Sequence, residues 1–256
     1  MDTKFETEKR LKIAKEITAQ VKDIARGVML GGSMGYGQNY AVTDKSDIDL
    51  LIAIDIDNLD QLVTTPFFKN QVPEDIIELF KRKEINLFWV TKIVNGIEVN
   101  VFIYESQVYL NFCLIKGAIK GYSQTKRSTT YQAVGFEGKP FTFERKVIPW
   151  KAGYIYERPA LAPQGKYYGE VPAADFFYSG KILSEKDNFL TKLEKEVWKA
   201  TVKQLIKEYG KNVDLNMVNI LNTHWVYYNA RYKLPLEVIK KIKRRTEEEL
   251  KRLKEI

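Results

Sequence analysis

The chain has 256 residues, of which 45% are apolar, a formal net charge of +8 and one cysteine. A chain of this length can bury one large core or two smaller ones, and none of its apolar runs approaches the roughly 18 residues that a membrane span requires. The single cysteine excludes an intrachain disulfide framework, and the first residues lack the apolar segment of a secretory signal. We therefore expect a cytoplasmic protein that is not embedded in a membrane.

The charge is divided unequally along the chain. Residues 1–120 contain 15 Lys and Arg against 17 Asp and Glu, whereas residues 121–256 contain 26 against 16. A basic second half is typical of proteins that bind RNA or nucleotide phosphates. It is also typical of Lys-rich helices that keep a protein soluble, so charge alone does not choose between these interpretations.

The first 120 residues have the pattern of a domain that mixes helices and strands. Apolar residues at helical spacing predict helices over 5–26, 73–83 and 105–120. Short apolar or alternating runs predict strands over 28–30, 48–56, 85–90 and 97–104. The dipeptide Asn95-Gly96 predicts a two-residue hairpin turn between the last two strands.

The rest of the chain changes character twice. Residues 121–180 are rich in aromatic residues, glycine and proline, which predicts a β-rich connecting segment. Residues 181–256 predict a C-terminal helical domain, with helices over 183–209, 214–230 and 235–256. The apolar seam of the last helix is typical of a solvated or subunit-facing helix, so a homodimer is one expectation.

Two carboxylates, Asp47 and Asp49, stand at the start of the apolar run 50–54. Because side chains at positions i and i+2 point to the same face of a strand, these two would project side by side. They would repel each other unless a cation lay between them, and carboxylate oxygens are ligands that Mg²⁺ prefers. The sequence therefore predicts half of a magnesium site.

A glycine-rich segment over residues 31–37 precedes this pair. Its glycines permit a tight turn that brings backbone N–H groups close to an anion, and Ser33 can donate its hydroxyl to a phosphate oxygen. A helix that begins near Ser33 would add the positive end of its dipole. A glycine-rich turn or an Asp-x-Asp run is common on its own. The two together, in this order, indicate a site for a phosphate and a metal.

This arrangement resembles the signature of the DNA polymerase β-like nucleotidyltransferase superfamily: an apolar strand, Gly-Ser, a later glycine, Ser-Asp-x-Asp and an aliphatic run. The matching positions are Gly32, Ser33, Gly37, Ser46, Asp47 and Asp49. The resemblance covers about residues 10–110 and implies an α+β nucleotidyltransferase domain with a mixed sheet over 1–120. It also implies that the Gly-Ser loop, with Gly37 and Ser46, binds the triphosphate, and that the aspartates bind two Mg²⁺ or Mn²⁺ ions.

In this family a third carboxylate comes from a later strand, and here the chain departs from the commonest pattern. Many relatives have Asp where this chain has Asn100, and Asn cannot supply the charge of a metal ligand or a general base. Glu98 lies two residues earlier on the same strand face. The Glu-Val-Asn run also resembles the corresponding strand of kanamycin-type aminoglycoside nucleotidyltransferases, where a glutamate serves. We expect Glu98 to take the third position, with Asn100 as the alternative.

The resemblance implies a metal-dependent nucleotidyltransferase, which moves a nucleoside monophosphate from a nucleoside triphosphate to an acceptor hydroxyl and releases pyrophosphate. Asp47, Asp49 and Glu98 would be its catalytic and metal-binding residues. The acceptor stays open between a small molecule, as in kanamycin-type enzymes, and an RNA end, which the basic second half favours. The alternative is a catalytically degenerate nucleotide-binding or regulatory module, similar to antitoxin-type members of the superfamily.

Overall fold

A computed structural model describes residues 2–36, 42–83, 85–107, 119–124, 128–134, 140–150, 153–157, 167–168, 180–209 and 236–254. Its helices are α1 (Thr3–Val21), α2 (Gly32–Tyr36), α3 (Leu59–Thr64), α4 (Glu74–Lys81), α5 (Phe189–Tyr209) and α6 (Leu236–Lys254). The strands of the first half are β1 (Gly27–Leu30), β2 (Ile48–Ile54), β3 (Ile85–Val94) and β4 (Ile97–Glu105). Those of the second half are β5 (Ile119–Gln124), β6 (Ser128–Val134), β7 (Pro140–Trp150), β8 (Gly153–Glu157), β9 (Tyr167–Tyr168) and β10 (Lys181–Glu185).

The strands form a mixed sheet in the order β10-β1-β2-β4-β3-β8-β7-β6-β5, with β9 beside β7. Strand β2 runs parallel to β4 and antiparallel to β1, and β3 runs antiparallel to β4. Helices and a sheet with both strand directions place the protein in the α+β class, as the sequence predicts. The parallel pairing of β2 and β4 sets Asp49 directly beside Asn100.

The hydrophobic core lies around β2 and β4, with α1 packed against it. Every residue of β2 is buried except Asp49, which is half-buried. In β4 the apolar residues Ile97, Val99, Val101 and Ile103 are buried, while Glu98 is exposed and Asn100 half-buried. This confirms the predicted alternation of β4. It also places the polar side chains of β4 together on the opposite face of the sheet from its core residues.

The hairpin between β3 and β4 is confirmed at the predicted residues. Asn95 and Gly96 both have positive φ, 51° and 77°, as a tight two-residue turn requires. Val94 therefore pairs with Ile97, and the register continues from that pair along both strands.

Several element boundaries differ from the predicted ones; β3, for example, extends to Val94 and not only to residue 90. Helix α1 ends at Val21, and Gly27 begins β1 instead of closing the helix. The predicted helix over 105–120 is wrong at both ends, because Glu105 is the last residue of β4 and Ile119 begins β5; residues 108–118 lie outside the described residues. The predicted helix over 214–230 lies outside them as well.

Another predicted boundary differs in the segment after residue 180. The predicted helix over 183–209 is wrong at its start, because Lys181–Glu185 is a strand that pairs with β1 at the edge of the sheet. Helix α5 begins at Phe189, after Asp187 and Asn188 turn the chain with positive φ. The backbone N–H of Thr191 then donates to a carboxylate oxygen of Glu185 at 2.9 Å, which caps the new helix.

Helix α5 rests directly on β1. A Cβ built on Gly27 would lie 2.4 Å from Cδ1 of Leu190, whose side chain is buried. The absence of a side chain at Gly27 therefore permits the close packing of α5 on the strand that leads into the glycine-rich loop. None of the helices in the described part of the chain is long and apolar enough to cross a membrane.

Candidate functional site

The two predicted aspartates stand where the loop after α2 enters β2, and buried Arg10 of α1 fixes the end of that loop. Its Nε donates to the carbonyl of Ser46 at 2.7 Å, and Nη2 donates to the carbonyl of Asp44 at 2.9 Å. The same guanidinium forms an ion pair with Glu6 one helical turn earlier. Arg10 is 1% exposed, so these contacts hold the residues immediately before Asp47 against the core.

The glycine-rich loop lies against Asp49. The backbone N–H of Gly31 donates to the carbonyl of Asp49 at 2.8 Å, and Gly35 N–H donates to the carbonyl of Gly31 at 2.7 Å as α2 begins. Gly32 has φ of +53°, and a Cβ built there would lie 2.2 Å from Oδ2 of Asp49. The Asp49 carboxylate therefore occupies the space that a side chain at position 32 would need. This is a reason for glycine at the first position of the Gly-Ser pair.

Asn100 connects Asp47, the residue directly before β2, with Glu98 of β4. Its Nδ2 donates to Oδ2 of Asp47 at 3.3 Å and to Oε1 of Glu98 at 3.2 Å. Its Oδ1 accepts a hydrogen bond of 2.7 Å from the hydroxyl of Thr91 on β3. One amide nitrogen thus lies between two carboxylates, one from the loop before β2 and one from β4.

The surroundings of Asp47 disfavour its charged form. Burial raises the pKa of Asp47 above its ordinary value of 3.8, and the negative charge of Glu98 raises it further. A hydrogen bond from its own backbone, the Asn100 amide and the positive charge of Arg10 act in the opposite direction. The positive charge of a cation bound here would offset the effect of burial and of Glu98 on the pKa of Asp47.

The remaining predicted residues differ in what the structure shows of them. Ser33 is half-buried in α2, directly after Gly32. The hydroxyl of Ser46 accepts a hydrogen bond of 2.9 Å from the backbone N–H of Thr43, so it shapes the loop that leads to Asp47. Gly37 lies outside the described residues.

Two residues that sequence reasoning did not select, Arg10 and Thr91, contribute to the site. Thr91 could have been found, because a two-residue turn at Asn95-Gly96 fixes the register and makes Thr91 the cross-strand partner of Asn100. Arg10 carried no comparable local signal. Its contacts with the loop before β2 bridge more than thirty positions of sequence.

The donor groups fit a hard divalent cation, since carboxylate oxygens are its usual ligands. Asp47 and Asp49 would hold such an ion at the start of β2, and Glu98 lies one amide group away from Asp47. Within the described ranges, however, no three side chains of His, Cys, Asp or Glu lie close enough together to form a metal-binding cluster. The described site therefore joins Asp47 and Glu98 through Asn100, with Asp49 two residues after Asp47 in β2.

Comparison of the chain with protein-family models gives no match. Comparison with curated proteins gives no significant similarity.

Proposed function

We propose that the protein is a divalent-metal-dependent nucleotidyltransferase of the DNA polymerase β-like type. It would transfer a nucleoside monophosphate from a nucleoside triphosphate to an acceptor hydroxyl and release pyrophosphate. The observation that carries the proposal is the position of Gly32 against the Asp49 carboxylate, with Asp47 joined to Glu98 through Asn100. A phosphate-binding loop and a set of carboxylates must be adjacent in such an enzyme, because both act on the same triphosphate.

In the proposed reaction the acceptor oxygen forms a bond to the α-phosphorus while the bond from that phosphorus to the pyrophosphate oxygen breaks. The Ser33 hydroxyl and the backbone N–H groups of Gly32 and Ser33, at the start of α2, would bind the β- and γ-phosphates. Asp47 and Asp49 would hold two divalent ions, which when bound neutralise the charge on the entering and leaving oxygens. The proton of the acceptor hydroxyl would pass to a carboxylate, for which Glu98 is the candidate.

Glu98 would take this role by a small adjustment of its side chain that keeps its hydrogen bond from Asn100. Its side chain is exposed on β4, so it can swing toward the aspartates without repacking the core. Its link to Asp47 through the Asn100 amide keeps it on the correct side of the sheet. The proposed third ligand therefore needs a movement of one surface side chain.

The test is pyrophosphate release by the full-length chain with each common nucleoside triphosphate and Mg²⁺ or Mn²⁺. Polyhydroxylated small molecules and transfer RNA would be offered separately as acceptors. The double variant Asp47→Ala/Asp49→Ala should abolish release. Asp23→Ala/Asp57→Ala is a matched control because both of those aspartates are exposed. Turnover that survives in the first variant would refute the assignment.

The acceptor class is decided by a second arm of the same experiment. If the acceptor is RNA, transfer RNA should bind with an affinity that falls steeply as salt is raised, because phosphate contacts release counterions. Stimulation of pyrophosphate release by small hydroxyl compounds, without RNA binding at low salt, would identify a small-molecule acceptor.

The second candidate function is a nucleotide-binding or regulatory module that has lost catalysis. Asn100, where many relatives have a carboxylate, favours it. So does the lack of a three-carboxylate cluster among the described residues. Such a module would bind a triphosphate, detected by calorimetry, and would release no pyrophosphate with any acceptor.

A further inference from the structure

Four side chains, those of Thr91, Asn100, Glu98 and Asp47, form a chain of hydrogen bonds that ends at the proposed metal site. Thr91 of β3 pairs directly with Asn100 of β4, and Asn100 lies beside Asp49 of β2. The Thr91 hydroxyl donates to Oδ1 of Asn100 at 2.7 Å, within the usual range for such a bond. Thr91 contacts neither aspartate in this chain of bonds and acts on the site through Asn100.

The amide group of Asn100 has two N–H donors and one carbonyl oxygen, and each has a partner. The two donors face different carboxylates, those of Asp47 and Glu98, and the oxygen faces Thr91. A reversed amide would place its oxygen against two negative charges, so the carboxylates select the sense of the amide. Thr91 holds the amide in the plane in which both donors reach their partners.

We infer that Thr91 and Asn100 are a positioning pair that holds the carboxylate of Glu98 toward that of Asp47 and so sets the geometry of the metal site. The inference rests on the proposed function. Each carboxylate has two oxygens, and Asn100 binds one oxygen of each, so the amide orients the groups without consuming both ligand atoms. Many members of the superfamily have an aspartate at the position of Asn100. The neutral amide of Asn100 binds two carboxylates, whereas a third negative charge there would repel them.

Such a pair belongs to the class of interactions that orient the groups which contact a metal. Loss of a partner of that kind typically lowers metal affinity or activity by about 10- to 100-fold. A threonine that merely filled space on β3 would be replaced by valine without such a loss, because the two side chains have nearly the same shape.

The experiment measures Mn²⁺ binding to the full-length chain by isothermal titration calorimetry, alongside kcat and KM for the triphosphate. The variants are Thr91→Val, which removes the hydroxyl, Thr91→Ser, which keeps it, and Asn100→Ala. We expect Thr91→Val and Asn100→Ala to weaken Mn²⁺ binding about 10-fold or more and to lower kcat. KM for the triphosphate should be unchanged because the Gly-Ser loop is untouched. Thr91→Ser should restore wild-type behaviour.

Thr18→Val is the control for loss of a hydroxyl, since Thr18 donates to the carbonyl of Ala14 at 2.7 Å inside α1, on a different element from the amide bridge. Circular dichroism melts establish that each variant is folded.

If wild type binds Mn²⁺ and Thr91→Val binds it equally well, the positioning pair is refuted and the proposed function stands. If wild type binds no Mn²⁺, both are refuted. If Thr91→Ser is as impaired as Thr91→Val, the hydroxyl is not the cause and the inference fails.

Discussion

Gly32 and Asp49 cannot both keep their positions if residue 32 acquires a side chain. A Cβ on Gly32 would approach Oδ2 of Asp49 to 2.2 Å, and φ at Gly32 is +53°. The consequence of Gly32→Ala is therefore twofold. Backbone strain should destabilise the fold by about 1–2 kcal/mol, and the displaced carboxylate should abolish Mn²⁺ binding and activity. Urea unfolding and calorimetry measure the two effects separately.

Gly96→Ala is the matched control for this prediction. Gly96 has φ of +77°, so alanine there carries a similar backbone strain, but no atom lies within 4 Å of the added Cβ. The control should lose stability and keep metal binding. Equal loss of Mn²⁺ affinity in both variants would mean that strain alone, and not contact with Asp49, explains the result.

Arg10 should be essential for stability as well as for activity. Arg10→Met removes the bonds to the loop before Asp47 and leaves Glu6, 16% exposed, without its ion-pair partner. We expect a loss of about 3 kcal/mol in the free energy of unfolding, which Glu6→Gln in the same chain should partly restore.

Arg26→Met is the comparison. Arg26 is 32% exposed and pairs with a largely exposed Asp187, so its loss should cost at most about 1 kcal/mol.

The charge of Asp47 should make stability depend on pH. Its pKa in the folded protein is raised above the ordinary 3.8, so the folded state binds this proton more tightly than the unfolded state. This contribution to stability is present below pH 3.8 and is lost as the pH rises through the folded-state pKa. Asp47→Asn should therefore be more stable than wild type at neutral pH and inactive. Urea midpoints at pH 4 and pH 7 test it, and an equal difference at both pH values would contradict the prediction.

Substitution of Glu98 should lower activity with little effect on stability. Because its side chain is exposed, Glu98→Gln should change stability by less than about 0.5 kcal/mol. Because Glu98 is the proposed metal ligand and proton acceptor, however, the substitution should lower kcat by about 100-fold. Glu8→Gln, an equally exposed charge on α1, should leave kcat unchanged. Full activity of Glu98→Gln would remove Glu98 from the mechanism.

The parts of the structure that local chemistry dictates were predictable. The turn at Asn95-Gly96, the alternation along β4 and the start of α4 after Pro73 each depend on a few adjacent residues. The strand Lys181–Glu185 was not predictable in this way, because it is fixed by pairing with β1 at the far end of the sequence. The bridge from Asp47 through Asn100 to Glu98 likewise depends on which strands become neighbours, and no short motif encodes that.

Because β1 pairs with β10, one edge of β1 is covered only after residues 181–185 have been synthesised. All four residues of β1 are buried, and one of its two edges is covered by a strand from beyond residue 180. At ordinary rates of synthesis the ribosome needs on the order of ten seconds to add the intervening residues. Throughout that interval the nascent chain carries an apolar strand with unpaired N–H and C=O groups. A fragment that stops after the first 120 residues would lack this covering strand, so we expect it to expose the edge of β1 and to aggregate more readily than the full chain.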